Sequence, residues 1–335
     1  IWLRIYGKKE RVKDFPLLNE DEASIIISNL LNENQRKYLA ATRNLDFSYT
    51  FLYERRNVNV RFRADCYYEL DSLALNMRAI NSEIRAFDTL GFHPYAVRAM
   101  SYKYIKFGLS LITGISGSGK STTLDSIIEA HNKIDHIHIV IIASPIEYVH
   151  ISNNAIIRHR EVGRDVLSFK DGVIQALRQD PDIIVIGEMR DPETIIAALE
   201  VTDTGHKVFS TLHTSSAVES LDRIIAEVHS SEQERVRNRL ADVLISIVSQ
   251  KLVPSLDGKL TLAKEVLIVN PGVKGAIKNN NTSEIYMMIN QGAHQGMITM
   301  EQDLKRLYLN KKISLETAIA YANNKTRIQQ IISAV

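Results

Sequence analysis

The sequence has very little cysteine and no long apolar run. Its single cysteine, Cys66, excludes an internal disulfide framework and any zinc module built on four cysteines. We therefore expect a reducing, cytoplasmic environment. No uninterrupted apolar stretch reaches the roughly 18–20 residues that a membrane-crossing helix needs, so membrane insertion is not expected. No signal peptide is visible, and because the chain begins at Ile1 we expect further residues before it.

A strong charge of one sign is also missing. The chain carries 41 Lys and Arg against 39 Asp and Glu, a net charge of +2, which gives no reason to expect nucleic-acid binding. Internal repeats and low-complexity segments are absent from the sequence. The 335 residues are 45% apolar and 24% charged, a globular composition. This length suggests two domains, or one large domain with a smaller module.

The pattern of apolar residues changes along the chain. The first 80 residues or so mix short strand-like runs, such as VNVRFRADCYYE (Val58–Glu69), with one helical stretch, Glu20–Ala40. Asn76–Leu90 carries charge without a clear period, which indicates a linker. From Phe107 onward, short apolar runs alternate with helices, which is typical of a parallel α/β sheet. The last 120 residues are predicted to be mostly helical.

The segment GISGSGKST, residues 114–122, follows the pattern G-x-x-x-x-G-K-[ST] between the apolar strand GLSLIT and a helix. Its glycines let backbone N–H groups curl around phosphate oxygens, and the helix N-terminus adds a positive dipole. The alternative, a plain glycine-rich turn, is disfavoured by the flanking strand and helix. We therefore predict that ATP is bound by Gly114, Ser116, Gly117, Ser118, Gly119, Lys120, Ser121 and Thr122, with Lys120 at the β- and γ-phosphates and Ser121 on Mg²⁺.

Two further apolar strands end in polar residues. DPDIIVIGEMRDPET (Asp180–Thr194) ends its strand at Glu188, which is predicted to hold the Mg²⁺ shell or to orient the attacking water. The alternative is that Glu188 caps the next helix. TGHKVFSTLHTSSA (Thr204–Ala217) places His206 before a strand and His213 after it. Ligands gather at the carboxyl ends of parallel strands, so His213 is predicted at the γ-phosphate. His206 is a second candidate, with packing or a subunit contact as the alternative.

Glu147 is the carboxylate of IIASPIEYVH, residues 141–150, where a loop leaves a buried strand. The residues around it do not decide between a catalytic base and a polar strand end.

Several motifs of this chain occur together in one known family. GSGKSTT, PIEYVH, REVGRD, ALRQDPDIIVIGEMRDPETI, TGH, STLHT, DRII and SQKLVP follow the order and spacing of the PilT-like type IV pilus-retraction ATPases of the type II/type IV secretion ATPase superfamily. The chain resembles this family from its N-terminal strands to about Asp303. The resemblance implies an α/β fold with a PAS-like α+β domain (1–80), a linker (81–92), a RecA-like P-loop ATPase core (93–270) and a helical C-terminal subdomain (271–335).

The same resemblance assigns roles to individual residues. In this family Glu147 belongs to the Asp box, normally E-D-P-I-E, whose last Glu is the catalytic base. The preceding acidic pair is Ala143–Ser144 here, which predicts slower turnover or more dependence on Glu188. Three arginines, Arg61, Arg63 and Arg78, are expected to reach the nucleotide of a neighbouring subunit, because a guanidinium contacts two phosphate oxygens at once. A solvated basic strand face is the alternative.

The family's V-R-N-L-I-R-E motif is VKGAIKN here, with Lys274, Lys278 and Asn279 at the altered positions. Lysine keeps the charge of arginine but loses its planar fork.

The resemblance implies a homo-hexameric motor ATPase for pilus retraction. It would work in the cytoplasm, peripheral to the inner membrane, with an inner-membrane platform protein and a paralogous motor ATPase as partners. One alternative is a weakly hydrolysing, nucleotide-switched accessory subunit, which the altered motifs favour. The other is a small-molecule kinase.

Overall fold

The computed structural model describes residues 1–5, 8–53, 58–80 and 83–333. The chain divides into two compact units, Ile1–Ser82 and Glu83–Val335. This boundary falls within the expected linker 81–92, of which residues 81 and 82 lie outside the described part. Residues 334 and 335 of the expected C-terminal subdomain lie outside it too.

The first unit is a small α+β arrangement. Its helices and strands are β1 (Trp2–Ile5), β2 (Lys8–Arg11), α1 (Glu20–Leu30), α2 (Glu33–Thr42), β3 (Asn44–Tyr53), β4 (Val58–Glu69) and β5 (Ser72–Ala79). β1 and β2 form an antiparallel pair, and β3, β4 and β5 form an antiparallel sheet in that order. One face of this sheet is apolar and packs with α1 and α2 around Phe47, Ala64 and Cys66.

The prediction of one helical stretch over Glu20–Ala40 is wrong in one respect, because this part of the chain forms two helices. Leu31 is extended, and Asn32 begins α2 by accepting a hydrogen bond from the Gln35 N–H at 2.9 Å. The Gln35 side chain accepts from the Asn32 N–H in return, at 2.9 Å. This reciprocal capping satisfies backbone groups at a helix start and favours a break at this point.

The second unit is built on one seven-stranded sheet with the order β12-β11-β6-β10-β9-β7-β8. Its strands are β6 (Gly108–Thr113), β7 (His138–Ala143), β8 (Ile156–Glu161), β9 (Ile183–Ile186), β10 (Lys207–Leu212), β11 (Leu244–Pro254) and β12 (Leu260–Ile268). All neighbours are parallel except β11 and β12, which form an antiparallel pair. The predicted α/β class is confirmed, as a mixed sheet. The β11–β12 hairpin was not expected in the helical last part of the chain.

Helices cover both faces of this sheet. They are α3 (Pro94–Met100), α4 (Lys120–Ile134), α5 (Phe169–Ala176), α6 (Pro192–Asp203), α7 (Ala217–Glu227), α8 (Gln233–Val243), α9 (Pro271–Lys278), α10 (Ser283–Gln291), α11 (Met300–Leu309), α12 (Leu315–Tyr321) and α13 (Lys325–Ser333). Successive strand residues point to opposite faces, so Ile139 and Ile141 enter one core while Val140 and Ile142 enter the other. Both faces are therefore buried.

The parallel register brings four strand ends to one edge. Thr113 lies beside Leu212, and Ile186 lies beside both Ser210 and Ile142. The loops that follow β6, β7, β9 and β10 therefore leave the sheet together. Among the described residues, no helix has the length and apolar character needed to span a membrane.

Candidate active site

The glycine-rich loop joins β6 to α4 at this edge. A Cβ on Gly114 (φ +152°) would lie 2.3 Å from the Ser118 Oγ and 2.5 Å from the Gln250 carbonyl oxygen, so only glycine fits there. Gly117 and Gly119 have φ values of 79° and 85°, in the left-handed region. A tight glycine turn that opens a helix is a shape suited to binding phosphate.

Lys120 is the first residue of α4 and is folded onto its own loop. Its Nζ donates to the carbonyl oxygens of Gly114 at 2.7 Å and Ile115 at 3.1 Å. Burial lowers the pKa of Lys120, and the negative charges of Glu188 and Glu147 act in the opposite direction. Both carboxylates are therefore close enough to influence the lysine.

Gln250 on β11 also supports the loop, a role that the sequence did not predict. Its Nε2 donates to the Ser118 carbonyl oxygen at 2.9 Å. The Ser118 Oγ and the Gln250 Oε1 are buried and have no hydrogen-bond partner among the described residues. Unpartnered buried polar atoms in a phosphate-shaped loop fit a site that accepts a polar ligand.

Glu188 follows β9, separated from its last residue, Ile186, by Gly187. Its Oε2 lies 2.7 Å from the Arg190 Nε and 3.8 Å from the His213 Nε2. The N-cap of α6 is Asp191, which accepts from the Thr194 N–H at 2.8 Å. The alternative that Glu188 caps this helix is therefore wrong, and its carboxylate faces the site.

His213 follows β10 and borders a cavity of about 380 Å³. Burial lowers the pKa of His213, and the positive charges of Lys120, Arg190 and Arg223 lower it further. The neutral imidazole is thus favoured. The cavity is lined by Glu188, Met189, Arg190, Thr211, Leu212, His213 and Arg223.

Arg190 and Arg223 are site residues that the sequence analysis missed. Arg190 stands two residues after Glu188, and Arg223 lies in DRII on α7, so both were inside recognised motifs. Proximity to Glu188 was a usable signal for the first. The DRII motif contains Arg223 but gave no indication of its role, and the Arg223 Nη1 donates to the His213 carbonyl oxygen at 3.4 Å.

His206 is not brought to this site within the chain. It precedes β10, whose first residue, Lys207, pairs with Gly108 at the start of β6. Its Nδ1 contacts the Thr204 Oγ1 at 2.9 Å and the Val201 carbonyl oxygen at 3.3 Å. The strand rise separates His206 from His213 by roughly 20 Å. The expectation that His206 acts in the site of its own chain is therefore corrected. Packing, which the contacts with Thr204 and Val201 support, and a contact with another subunit remain as its alternatives.

Glu147 lies in the loop after β7. The residue is half-buried, and the backbone N–H of its neighbour Ile146 donates to the Glu161 Oε2 at 3.3 Å. Of the two positions that are acidic in the resembled motif, Ser144 is exposed and Ala143 is half-buried. Ala143 lies close to Gly187, the residue after β9, because a Cβ on Gly187 would lie 3.2 Å from the Ala143 Cβ. An acidic side chain at 144 would therefore meet less crowding than one at 143.

The three candidate arginines, Arg61, Arg63 and Arg78, lie in the first unit and share one sheet face. Arg63 lies directly opposite Arg78, and its Nε donates to the Asp46 Oδ1 at 3.2 Å. Arg61 donates to the Thr50 Oγ1 at 3.2 Å and to the Ser48 Oγ at 2.9 Å. This polar face is the reverse of the apolar face covered by α1 and α2.

The lysines of the altered C-terminal motif lie on α9 and contact α8. The Lys278 Nζ is 2.7 Å from the Asp242 Oδ1, and the Lys274 Nζ donates to the Asp242 carbonyl oxygen at 3.1 Å. Asn279 is the C-cap of α9. Both lysines thus join two helices within the chain.

A glycine loop between β6 and α4, with an acid after β9, defines a P-loop protein of the α/β class. The chain belongs to the family described as Type II/IV secretion system protein, whose model matches residues 51–334.

Its relatives agree with this assignment. The chain is 36% identical over 323 residues to the twitching motility protein of Neisseria gonorrhoeae, covering 96% of this chain and 84% of that one. It is also 36% identical over 316 residues to the type IV pilus retractation ATPase PilT of Pseudomonas aeruginosa, covering 94% and 89%. A solved structure of the pilus retraction motor PilT with bound ADP has a TM-score of 0.86 and 37% identity, covering 98% of this chain and 92% of that one. The resemblance to PilT-like ATPases is confirmed.

Proposed function

We propose that this chain is a motor ATPase that hydrolyses ATP with Mg²⁺ and couples hydrolysis to retraction and disassembly of a type IV pilus. One observation carries the proposal. The segments that follow four strands leave the sheet at one edge, and they carry Lys120, Glu147, Glu188 and His213. They do so in a chain that is related over nearly its whole length to a protein named as a pilus retraction ATPase.

The loop would hold the phosphates of ATP, with the Lys120 ammonium turning from the loop carbonyls to the β- and γ-phosphates. Ser121 and Glu188 offer hydroxyl and carboxylate oxygens, the ligands that Mg²⁺ prefers, and the ion would neutralise charge on the phosphates. In the described part of the chain, no group of three or more His, Cys, Asp or Glu side chains could hold a metal. The remaining Mg²⁺ ligands are therefore expected to be phosphate oxygens and water.

Glu147 would accept the proton of the attacking water as general base. The neutral His213 would donate a hydrogen bond near the γ-phosphate, and Arg190 and Arg223, beside it, would offset negative charge. These charged groups would accelerate hydrolysis to the extent that they stabilise the transition state more than bound ATP.

Assembly is proposed as a ring of six with ATP sites between subunits. Residues 1–80 would form the PAS-like domain, 81–92 the linker, 93–270 the RecA-like core and 271–335 the C-terminal subdomain. The shared face of Arg61, Arg63 and Arg78 would supply arginines to a neighbour's nucleotide. The ring would act in the cytoplasm at the inner membrane, through a platform protein and with a paralogous motor ATPase.

The test is the ATPase rate measured against protein concentration, together with the mass in solution with ATP. We expect a Mg²⁺-dependent rate per subunit that rises with concentration as rings form. The matched control is Lys120→Ala, which removes the ammonium from the loop and should lose phosphate affinity. A concentration-independent monomer would contradict the motor, and unchanged hydrolysis by Lys120→Ala would show that the P-loop is not the working site.

A second candidate is the weakly hydrolysing accessory subunit. It is favoured by Ala143 and Ser144, which leave no carboxylate where the family's acidic pair stands. A chain that hydrolyses ATP only when mixed with an active paralogue would support it.

A further inference from the structure

The loop that carries Glu147 is attached to the rest of the second unit on both sides of this residue. Before it, the Ile146 N–H donates to Glu161 on β8. After it, His150 reaches helix α4. Residues 146–152 belong to no helix or strand, so side-chain contacts such as these, rather than a hydrogen-bond ladder, hold the backbone around Glu147.

His150 lies between two carboxylates of α4. Its Nε2 is 3.2 Å from the Asp125 Oδ1, and its Nδ1 is 3.4 Å from the Glu129 Oε2. The histidine side chain is 0% exposed, and the carboxylate side chains are 24% and 22% exposed. Asp125 and Glu129 are one helical turn apart, so they project on the same side of α4.

Packing fixes the orientation of the ring. The His150 ring stacks on His159 of β8 with centroids 6.0 Å apart, and it meets the edge of Tyr148 at 4.8 Å. The His150 backbone N–H also donates to the His159 Nε2 at 3.1 Å. His150 is thus held by a strand and a helix together.

A packing role alone does not explain this arrangement. Burial removes the polar His150 ring from water and partly shields the two carboxylates, and an apolar side chain of similar size would avoid the cost of burying the ring. The polar contacts fix the position of the His150 ring relative to α4, because the ring nitrogens face oxygens at fixed places on that helix. A metal does not explain the cluster, since the described residues contain no group suited to one.

The helix that holds His150 is also the helix that begins with Lys120. Asp125 follows Lys120 by five residues, which is about 7.5 Å along the helix axis. The P-loop lysine and the attachment of the Glu147 loop are therefore parts of one rigid element.

We infer that His150 is a positioning residue for ATP hydrolysis, which ties the Glu147 loop to Asp125 and Glu129 and so sets Glu147 relative to Lys120. This inference rests on the proposed function. His150 does not touch the reacting atoms, and its effect passes through Glu147.

The test replaces His150 by phenylalanine, which keeps the ring contacts with Tyr148 and His159 but removes both nitrogens. We expect kcat to fall about 10- to 100-fold while KM and the affinity for a non-hydrolysable ATP analogue change less than about twofold. Hydrogen exchange of the backbone amides of residues 146–152 should become faster. The second variant, Asp125→Asn with Glu129→Gln, keeps side-chain shapes and should lower kcat in the same direction.

The matched control is His131→Phe on the same helix. His131 is also a buried histidine paired with a carboxylate, at 2.7 Å from the Asp135 Oδ2, but its contacts are with Asp135, Met100 and Phe209 rather than the Glu147 loop. We expect it to lower stability and leave kcat near the parent value.

The outcomes separate this inference from the proposed function. A parent chain without hydrolysis overturns both. An active parent with unimpaired kcat in the His150→Phe variant, or in the folded carboxylate variant if His150→Phe does not fold, overturns the positioning role alone. A kcat loss that His131→Phe shares in proportion to lost stability also overturns it.

Discussion

At the scale of single residues, the site combines side chains whose charges depend on one another. Besides burial, the charges of Glu188 and Glu147 affect the pKa of Lys120. Besides burial, the charges of Lys120, Arg190 and Arg223 affect the pKa of His213. A change at one of them therefore alters the electrostatic environment of the others. Substitutions that keep shape and remove one charge are the most informative.

Glu147 and Ser144 should respond in opposite ways. Glu147→Gln should abolish most hydrolysis and leave nucleotide affinity nearly intact, because a base acts in the transition state and contributes little to ground-state binding. Ser144→Asp should raise the rate, because Ser144 is exposed and the new carboxylate restores an acid that the family has. Steady-state kinetics with nucleotide-binding measurements check both. If the Glu147→Gln variant hydrolyses ATP as fast as the parent, Glu147 is not the base and is only a polar residue after a strand.

The buried Lys207 should make the free energy of unfolding depend on pH. It is fully buried, donates to the carbonyl oxygens of Ala99 at 3.0 Å and Ile105 at 3.2 Å, and burial lowers its pKa to about 7. Between that value and the ordinary lysine pKa, the unfolded chain binds more protons than the folded one, so stability rises with pH across this window.

Comparison with Lys207→Met isolates this effect. From pH 7 to pH 9, the free energy of unfolding of the parent should rise relative to the variant by about 1 kcal/mol per pH unit. Denaturant unfolding at three pH values measures the difference. A difference that stays constant with pH would show that Lys207 titrates alike in both states.

At the scale of elements, the sequence predicted what local patterns determine. The P-loop, the strand before Glu188 and the strand before His213 each carry their signal within about ten residues. Gln250, on the β11–β12 hairpin, contacts Ser118 from a distant part of the chain, so no local period could indicate this contact. Arg223 lies inside the DRII motif near His213, but the motif did not show that this arginine lines the site. The break between α1 and α2 was a missed local signal, because Asn32 and Gln35 have the spacing of a capping box.

The start of α2 can be tested directly. Asn32→Ala removes the side-chain oxygen that accepts from the Gln35 N–H, and should lower the stability of the first unit by about 1 kcal/mol. Asn34→Ala, at the second residue of α2 and outside the cap, is the matched control. Denaturant unfolding followed by circular dichroism gives the comparison, and equal effects of the two changes would refute the importance of the cap.

At the scale of the whole molecule, the proposed ring makes activity a property of subunit pairs. The face with Arg63 and Arg78 belongs to the first unit and the P-loop to the second. If arginines act across subunits, two inactive chains should complement each other. The pair to mix is Arg63→Ala/Arg78→Ala with Lys120→Ala.

Some interfaces of the mixed ring will then join the intact P-loop of the arginine variant to the intact arginines of the lysine variant. ATPase activity should therefore recover partly and reach its maximum near equal proportions, because mixed neighbours are most frequent there. A mixture of Lys120→Ala with Glu188→Gln is the control, since both changes lie in the same unit and no interface gains a complete P-loop site. With ring formation confirmed by mass, an absence of recovery at every ratio would count against arginines acting in trans and leave them as a solvated basic face.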